Sequence, residues 1–212
     1  MIGIGSCVCC ECVRNVLVDA DTTIAGVAYS GFNNFKTALV SAGHTVHSAA
    51  AAAGWTTWSG AINDYHLVVL YRKNDPSYWS TITGGSWTGI RVVQVGENQF
   101  APDFTNIQTW IAAASHSMTL NTDSRISAGS DNFSAHALAA GLGTPNINYN
   151  GTTVSGGSAV IYTGDDDPPT TDVVLAEETL SGLSWVVAGD RSVMFNTTGY
   201  TQLYENLVCV DP

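Results

Sequence analysis

The sequence predicts an α/β protein built on a doubly wound, mostly parallel sheet with a small β-rich insertion. Four short apolar runs carry the prediction, at residues 15–18, 67–71, 91–95 and 185–188. Each has the length and unbroken hydrophobicity of a strand covered on both faces. Stretches with apolar residues at helical spacing fall between the runs, which is the alternation of βαβ units. From about residue 119 to 171 this rhythm gives way to a segment rich in Ser, Asn, Gly and Thr.

The first run leads into a helix-like stretch over 31–42, where Phe32, Phe35, Leu39 and Val40 recur at helical spacing. Gly43 stops that helix as a C-cap. Residues 45–47 read as a short strand. Trp55, Trp58, Ile62 and Tyr65 indicate a second helix, and residues 78–82 a third, closed by Gly84 and Gly85. After the strand at 91–95, Ile107, Trp110 and Ile111 mark a helix over 104–114. Inside the insertion, β-like pieces at 146–149 and 159–163 predict antiparallel pairing, edged by a loop at 165–169. The regular pattern resumes at 173–177 and ends in a helix through Leu203, Leu207 and Val208. Residues 1–13 form a cysteine-rich head, and residues 14–212 the α/β domain, with its insertion at about 119–171. No internal repeat of about 20–50 residues is present.

Composition excludes several classes of function. Hydrophobic residues make up 45% of the chain, which places it among globular proteins. Charged residues make up only 12%, against a usual share of ~25%, so Ser, Thr, Asn, Gly and Ala must cover most of the surface. Seven basic and eighteen acidic residues give a formal charge of −11, and Lys and Arg form no cluster. A phosphate-tracking surface therefore has no source of charge, and neither nucleic acid nor an anionic membrane is an expected partner. No run of about 18 apolar residues is present, so no membrane insertion is expected. The first residues lack a basic segment followed by a long apolar one, so no secretory signal is expected either. The low-charge surface suits an extracellular or virion protein, with a cytoplasmic location left open.

Three of the four runs end in acidic or amide residues. Asp19 and Asp21 close the first, Glu97 and Asn98 follow the third, and Asp190 and Arg191 follow the fourth. In a doubly wound sheet the carboxyl ends of parallel strands face one crevice, where ligands bind. These six residues are the candidate ligand-binding set. None of the ends carries Cys, Ser or Thr in a nucleophile turn.

Several segments together resemble the class I glutamine amidotransferase-like superfamily, and its ThuA-like branches in particular. They are Ala42-Gly43-His44-Thr45-Val46, Val68-Val69-Leu70 after Asp64, the stretch from Gly89 to Asn98, Trp185 to Asp190 after Gly182, and Leu203 to Leu207. The resemblance spans most of residues 14–210 and implies a flavodoxin-like sheet. In active members a cysteine occupies a tight turn after a central strand, backbone N–H groups stabilise the oxyanion, and a downstream His acts as base. The corresponding turn here is Val95-Gly96-Glu97-Asn98-Gln99, without a thiol, and no His follows His136. The resemblance thus implies the scaffold without glutaminase chemistry, and no catalytic residue is assigned.

A rival resemblance attaches to Val18-Asp19-Ala20-Asp21-Thr22, which is similar to the first motif of haloacid-dehalogenase-like phosphatases. It implies an aspartate nucleophile with Mg²⁺, with Asp190 in the late metal-binding position. The second carboxylate of that late motif is replaced by Met194, and only Lys36 and Lys73 are available as phosphate-side bases. The bland alternative makes Asp19 and Asp21 caps of the following segment. The chain is more readily a non-enzyme than an enzyme.

The head carries Cys7, Cys9, Cys10 and Cys12, two interleaved C-x-x-C pairs with thiolate-ligand spacing. A final helix following a parallel strand ends at the edge where the head enters, so Cys209 is expected beside it. Three readings stay open: disulfides or links between chains, a site for zinc or another metal, and inert thiols. No cofactor is certain beyond a metal at this cluster. The histidines show no metal spacing, and Trp79 and Trp87 beside Gly84-Gly85 offer one sugar-stacking face. Three N-x-S/T sequons begin at Asn132, Asn150 and Asn196. The first functional expectation is a non-catalytic structural or assembly component with protein partners or self-assembly. The alternatives are a metal-dependent, phosphatase-like hydrolase and a carbohydrate- or small-ligand-binding domain.

Overall fold

A strand without polar alternation is stable only where both of its faces are covered, and the four apolar runs occupy such positions. The computed structural model describes residues 13–20, 23–24, 27–28, 30–49, 65–71, 89–95, 116–121, 129–143, 146–147, 153–164, 171–180, 182–189 and 201–212. The first half of the chain forms β1 (Asn15–Ala20), β2 (Thr23–Ile24), β3 (Val27–Ala28), α1 (Ser30–Ser41), β4 (Thr45–Ala49), β5 (Leu67–Tyr71) and β6 (Arg91–Val95). The second half forms β7 (Thr119–Asn121), β8 (Gly129–Phe133), a 3₁₀ turn (Ala137–Ala139), β9 (Asn146–Ile147), β10 (Thr153–Ser155), β11 (Ser158–Gly164), β12 (Thr171–Leu180), β13 (Leu183–Ala188) and α2 (Thr201–Cys209).

Nine strands make one mixed sheet in the order β4-β1-β5-β6-β13-β12-β11-β8-β9. The first five are parallel to their neighbours, and from β13 onward every pairing is antiparallel. The 119–171 stretch thus lends β8, β9 and β11 to the main sheet, while β7 and β10 pair as a separate ribbon. The sheet register aligns Ala20 with Tyr71, Tyr71 with Val95, and Val95 with Ala188. The carboxyl ends of the four apolar runs therefore form one row.

Side chains alternate between two cores, as the period of a strand requires. Val16, Val18, Leu67, Val69, Val93, Val95, Val186 and Ala188 face α1 and α2. Leu17, Val68, Leu70, Val92, Trp185 and Val187 face the other way, against Met118, Leu120 and Val154 of the ribbon side. On the helix side, Phe35 and Leu39 of α1 and Leu203 and Leu207 of α2 are i, i+4 pairs, so each helix buries one stripe. Phe35 meets Tyr204 edge-on at 4.7 Å and locks the two helices together.

Two irregularities interrupt the β11–β12 pairing, between Ala159 and Ile161 and between Ile161 and Tyr162. Consecutive residues, Val160 with Ile161 and Val174 with Leu175, consequently join the same core. A bulge turns two successive side chains to one face in this way.

Two glycines are required by geometry. Gly43, at φ 96°, ends α1: its N–H bonds to the Val40 carbonyl and that of His44 to the Leu39 carbonyl. Gly156, at φ 79°, turns the chain from β10 toward β11, and a Cβ there would collide with the Ser117 carbonyl. The helices expected at 55–65, 78–82 and 104–114 and the loop at 165–169 lie outside the described residues.

Candidate functional site

Arg91 opens β6, on the face toward α2, and its side chain is only 2% exposed. Its Nε donates to Glu177 Oε1 at 3.1 Å and to Ser184 Oγ at 3.0 Å. Its Nη1 donates to the carbonyls of Leu207 and Val210, each at 2.8 Å. The last carbonyls of a helix have no partner within the helix and carry its negative dipole end, so a guanidinium is a suitable cap for α2. Burial lowers the Arg91 pKa from its ordinary value, and the charge of Glu177 and its hydrogen bond oppose that shift. An Arg nevertheless stays charged.

Glu177 gathers further donors. Ser184 Oγ donates to Oε1, and His136 Nε2 stands 3.1 Å from Oε2. His136 Nδ1 accepts the Leu138 N–H at 3.2 Å, so the ring proton is on Nε2 and points at Glu177. The same 3₁₀ turn is sewn to α2 by Asn206, whose Nδ2 donates to the carbonyls of Leu138 at 2.9 Å and Ala140 at 2.8 Å.

A pocket of about 250 Å³ opens beside this network at the amino edge of the sheet, between Arg14, His66, Gly89, Arg91, Val208 and the last residues of the chain. His66 Nδ1 is buried and has no hydrogen-bond partner among the described residues. Burial, and after it the charge of Arg14, lower the His66 pKa. Arg14 pairs with Asp211 at 3.7 Å, in the exposed setting where such pairs contribute little.

A second group lies on the same edge. His44, just ahead of β4, has a side chain 1% exposed, and its Nε2 is 3.1 Å from Glu205 Oε2. Its Nδ1 accepts the Arg14 N–H at 3.4 Å, which places the ring proton on Nε2, donated to Glu205. Glu205 and Cys209 are four residues apart on α2 and so share a helix face. The ligand atoms of His44, Glu205 and Cys209 all lie within 4.8 Å of one another.

On the opposite face of the sheet, His116 Nδ1 meets Glu178 Oε2 at 3.0 Å, and the Ser117 N–H reaches both Glu178 oxygens. The His116 ring stands edge-on to Trp185 at 4.7 Å, and its Nε2 is buried without a hydrogen-bond partner among the described residues. Burial lowers the His116 pKa against the pull of Glu178. Burial raises that of Glu178, but the bonds from Ser117 and His116 outweigh it and hold the carboxyl below its ordinary value.

Of the residues singled out in the sequence, Asp19 lies in β1, in register with Ala49 of β4 and Leu70 of β5. Cys209 closes α2 at the amino edge, where Arg14 enters β1. Asp21, Glu97, Asn98, Asp190, Arg191, Cys7, Cys9, Cys10 and Cys12 lie outside the described residues, as do Trp79 and Trp87. The sequence reading passed over Arg91 and Glu177. One signal was present: a lone cation at the head of an apolar strand in a chain with only seven basic residues. Glu205 and Cys209 at i, i+4 on the closing helix were a second.

These features define an α/β protein built on a mostly parallel mixed sheet. The chain is similar to a ThuA-like protein from Bacteroides uniformis, with TM-score 0.56 and 8% identity over 93% of this chain and 91% of that one. It is also similar to β-galactosidases from Halorubrum lacusprofundi (TM-score 0.58, 10% identity) and Bacillus circulans sp. alkalophilus (TM-score 0.55, 9% identity). The match covers 92% of this chain and 30% of each β-galactosidase. No family model and no curated protein sequence matches the chain.

Two predictions follow from the buried pairs. Arg91→Met leaves Glu177 buried without its cation and is expected to lower stability by about 3–5 kcal/mol. Urea unfolding midpoints report this, and replacing Glu177 as well is expected to recover part of the loss. The second concerns pH. Because the folded pKa of His116 lies below the ordinary value near 6.5, the unfolded chain takes up the proton first. The contribution of neutral His116 is thus complete above about pH 6.5 and is lost on acidification, and His66 has the same sign. Glu178 adds a further loss as pH falls below its ordinary value of 4.5. His116→Asn, whose amide can replace Nδ1–H, is expected to flatten the fall in melting temperature between about pH 6.5 and about pH 5. An unchanged slope would assign that fall to other groups.

Proposed function

We propose that this chain is a non-catalytic, amidotransferase-like α/β module serving as a structural or assembly component of a virion or another extracellular assembly. The residue types that follow β6 in the sequence carry the reading. In glutaminases of the superfamily a thiol stands after the corresponding strand. Here Val95 is followed by Gly96, Glu97, Asn98 and Gln99. Among the described residues the one cysteine, Cys209, is at the opposite edge, beside the start of β6. The parallel strands, numbered by their order along the chain, run 2-1-3-4-5, which supports a flavodoxin-like scaffold. α1 and α2 cover one face of that sheet. The low share of charged residues and the cysteine-rich head support an assembly role.

Light scattering on the purified chain, untreated and then with reductant plus chelator, tests the proposal. A defined oligomer that dissociates on treatment is expected; a monomer indifferent to treatment overturns it.

One observation favours a second reading, a polar-ligand crevice with hydrolase chemistry. The strand order reverses between β1 and β5, and ligands of open α/β sheets bind at such a switch point, outside the carboxyl ends. Asp19 lies at that end of β1, and Asp21 follows it in the sequence. On this reading Asp19→Asn abolishes Mg²⁺-dependent hydrolysis of p-nitrophenyl phosphate. An equal rate in the variant would end it.

A further inference from the structure

We infer that His44, Glu205 and Cys209 form a binding site for zinc at the amino edge of the sheet. Imidazole, carboxylate and thiolate are all zinc ligands, and a thiolate with an imidazole selects a borderline-soft cation over Mg²⁺ or Ca²⁺. The three ligand atoms lie within 4.8 Å of one another, so small side-chain rotations bring them onto one ion. Two ligands come from one helix at i, i+4, which sends them off the same face, and the third comes from the turn that Gly43 forces after α1. The backbone around the site is held. α2 is capped by Arg91 and tied by Asn206, and His44 is fixed through its own N–H to the Leu39 carbonyl. Three protein ligands leave a fourth position open, as in zinc sites that also bind a water or a ligand.

The proton balance is definite. The Cys209 thiol releases its proton to solvent on binding. The His44 proton moves from Nε2 to Nδ1, which gives up the contact with the Arg14 N–H. At 3.4 Å that contact is near the outer limit of a hydrogen bond, so three metal–ligand bonds outweigh it. Affinity falls as pH falls, because the thiolate must form.

The test uses the full chain with Cys7, Cys9, Cys10 and Cys12 all replaced by Ser, reduced and freed of metal. Zinc titration by calorimetry is expected to give one ion per chain, and Co²⁺ to give a thiolate-to-metal charge-transfer band with tetrahedral ligand-field intensity. In this background Cys209→Ser removes that band. Glu205→Gln, which keeps the bond to His44 and sits on a partly exposed position, weakens zinc binding at least about tenfold. Circular dichroism confirms that each variant is folded. A cobalt spectrum without the thiolate band overturns the inference, and so does zinc affinity indifferent to Glu205→Gln. Binding by the parent chain but not by the four-serine variant assigns the metal to the head and also overturns it.

Discussion

The described structure turns on the guanidinium of Arg91. One side chain holds the end of the last helix, the start of a central parallel strand and the first antiparallel pair of the sheet, through Leu207, Val210, Ser184 and Glu177. A cation removed from water needs acceptors for its donors, and here two carbonyls, a hydroxyl and a carboxylate accept from Nε and Nη1. Glu177 is held in turn by Ser184 and His136, so the network reaches across the sheet to the 3₁₀ turn.

Around that anchor the two halves of the sheet follow different rules. The central parallel strands β1, β5, β6 and β13 are buried and rich in Val and Leu, while β4 at the edge is partly exposed. The antiparallel half contains the long β12, whose Glu177 and Glu178 point to opposite faces, one to Arg91 and one to His116. Adjacent acids in a strand thereby find separate hydrogen-bond donors. The two bulges between β11 and β12 let a chain segment of Ser-, Gly- and Thr-rich composition still present Val160, Ile161, Val174 and Leu175 to the helix-side core.

Titratable groups gather at the amino edge: Arg14, His44, His66, Arg91, Glu205, Cys209 and Asp211 lie there around the end of α2. Each Arg there has a carboxylate partner, and His44 donates to Glu205. The carboxyl edge, where α/β sheets place their ligands, is marked by the row from Ala20 to Ala188.

The sequence by itself determined the parallel half. Runs too apolar for a half-exposed strand have one stable location, and Gly43 ends α1 because few other residues adopt its backbone angle. It also determined that Gly96, Glu97, Asn98 and Gln99, and no thiol, follow β6, since that is read from residue types alone. Only the tertiary structure decided that β8, β9 and β11 extend the main sheet, because strand partners separated by tens of residues leave no periodic trace. It alone decided the roles of Arg91, Glu177, His44 and Glu205. A polar residue in a strand or helix reads as solvent-facing until its partner is known, and here each partner lies 86 or 161 residues away in the chain. Hydrophobic burial is written locally, in spacing; pairing of buried charges is written in contacts that exist only after the chain has folded.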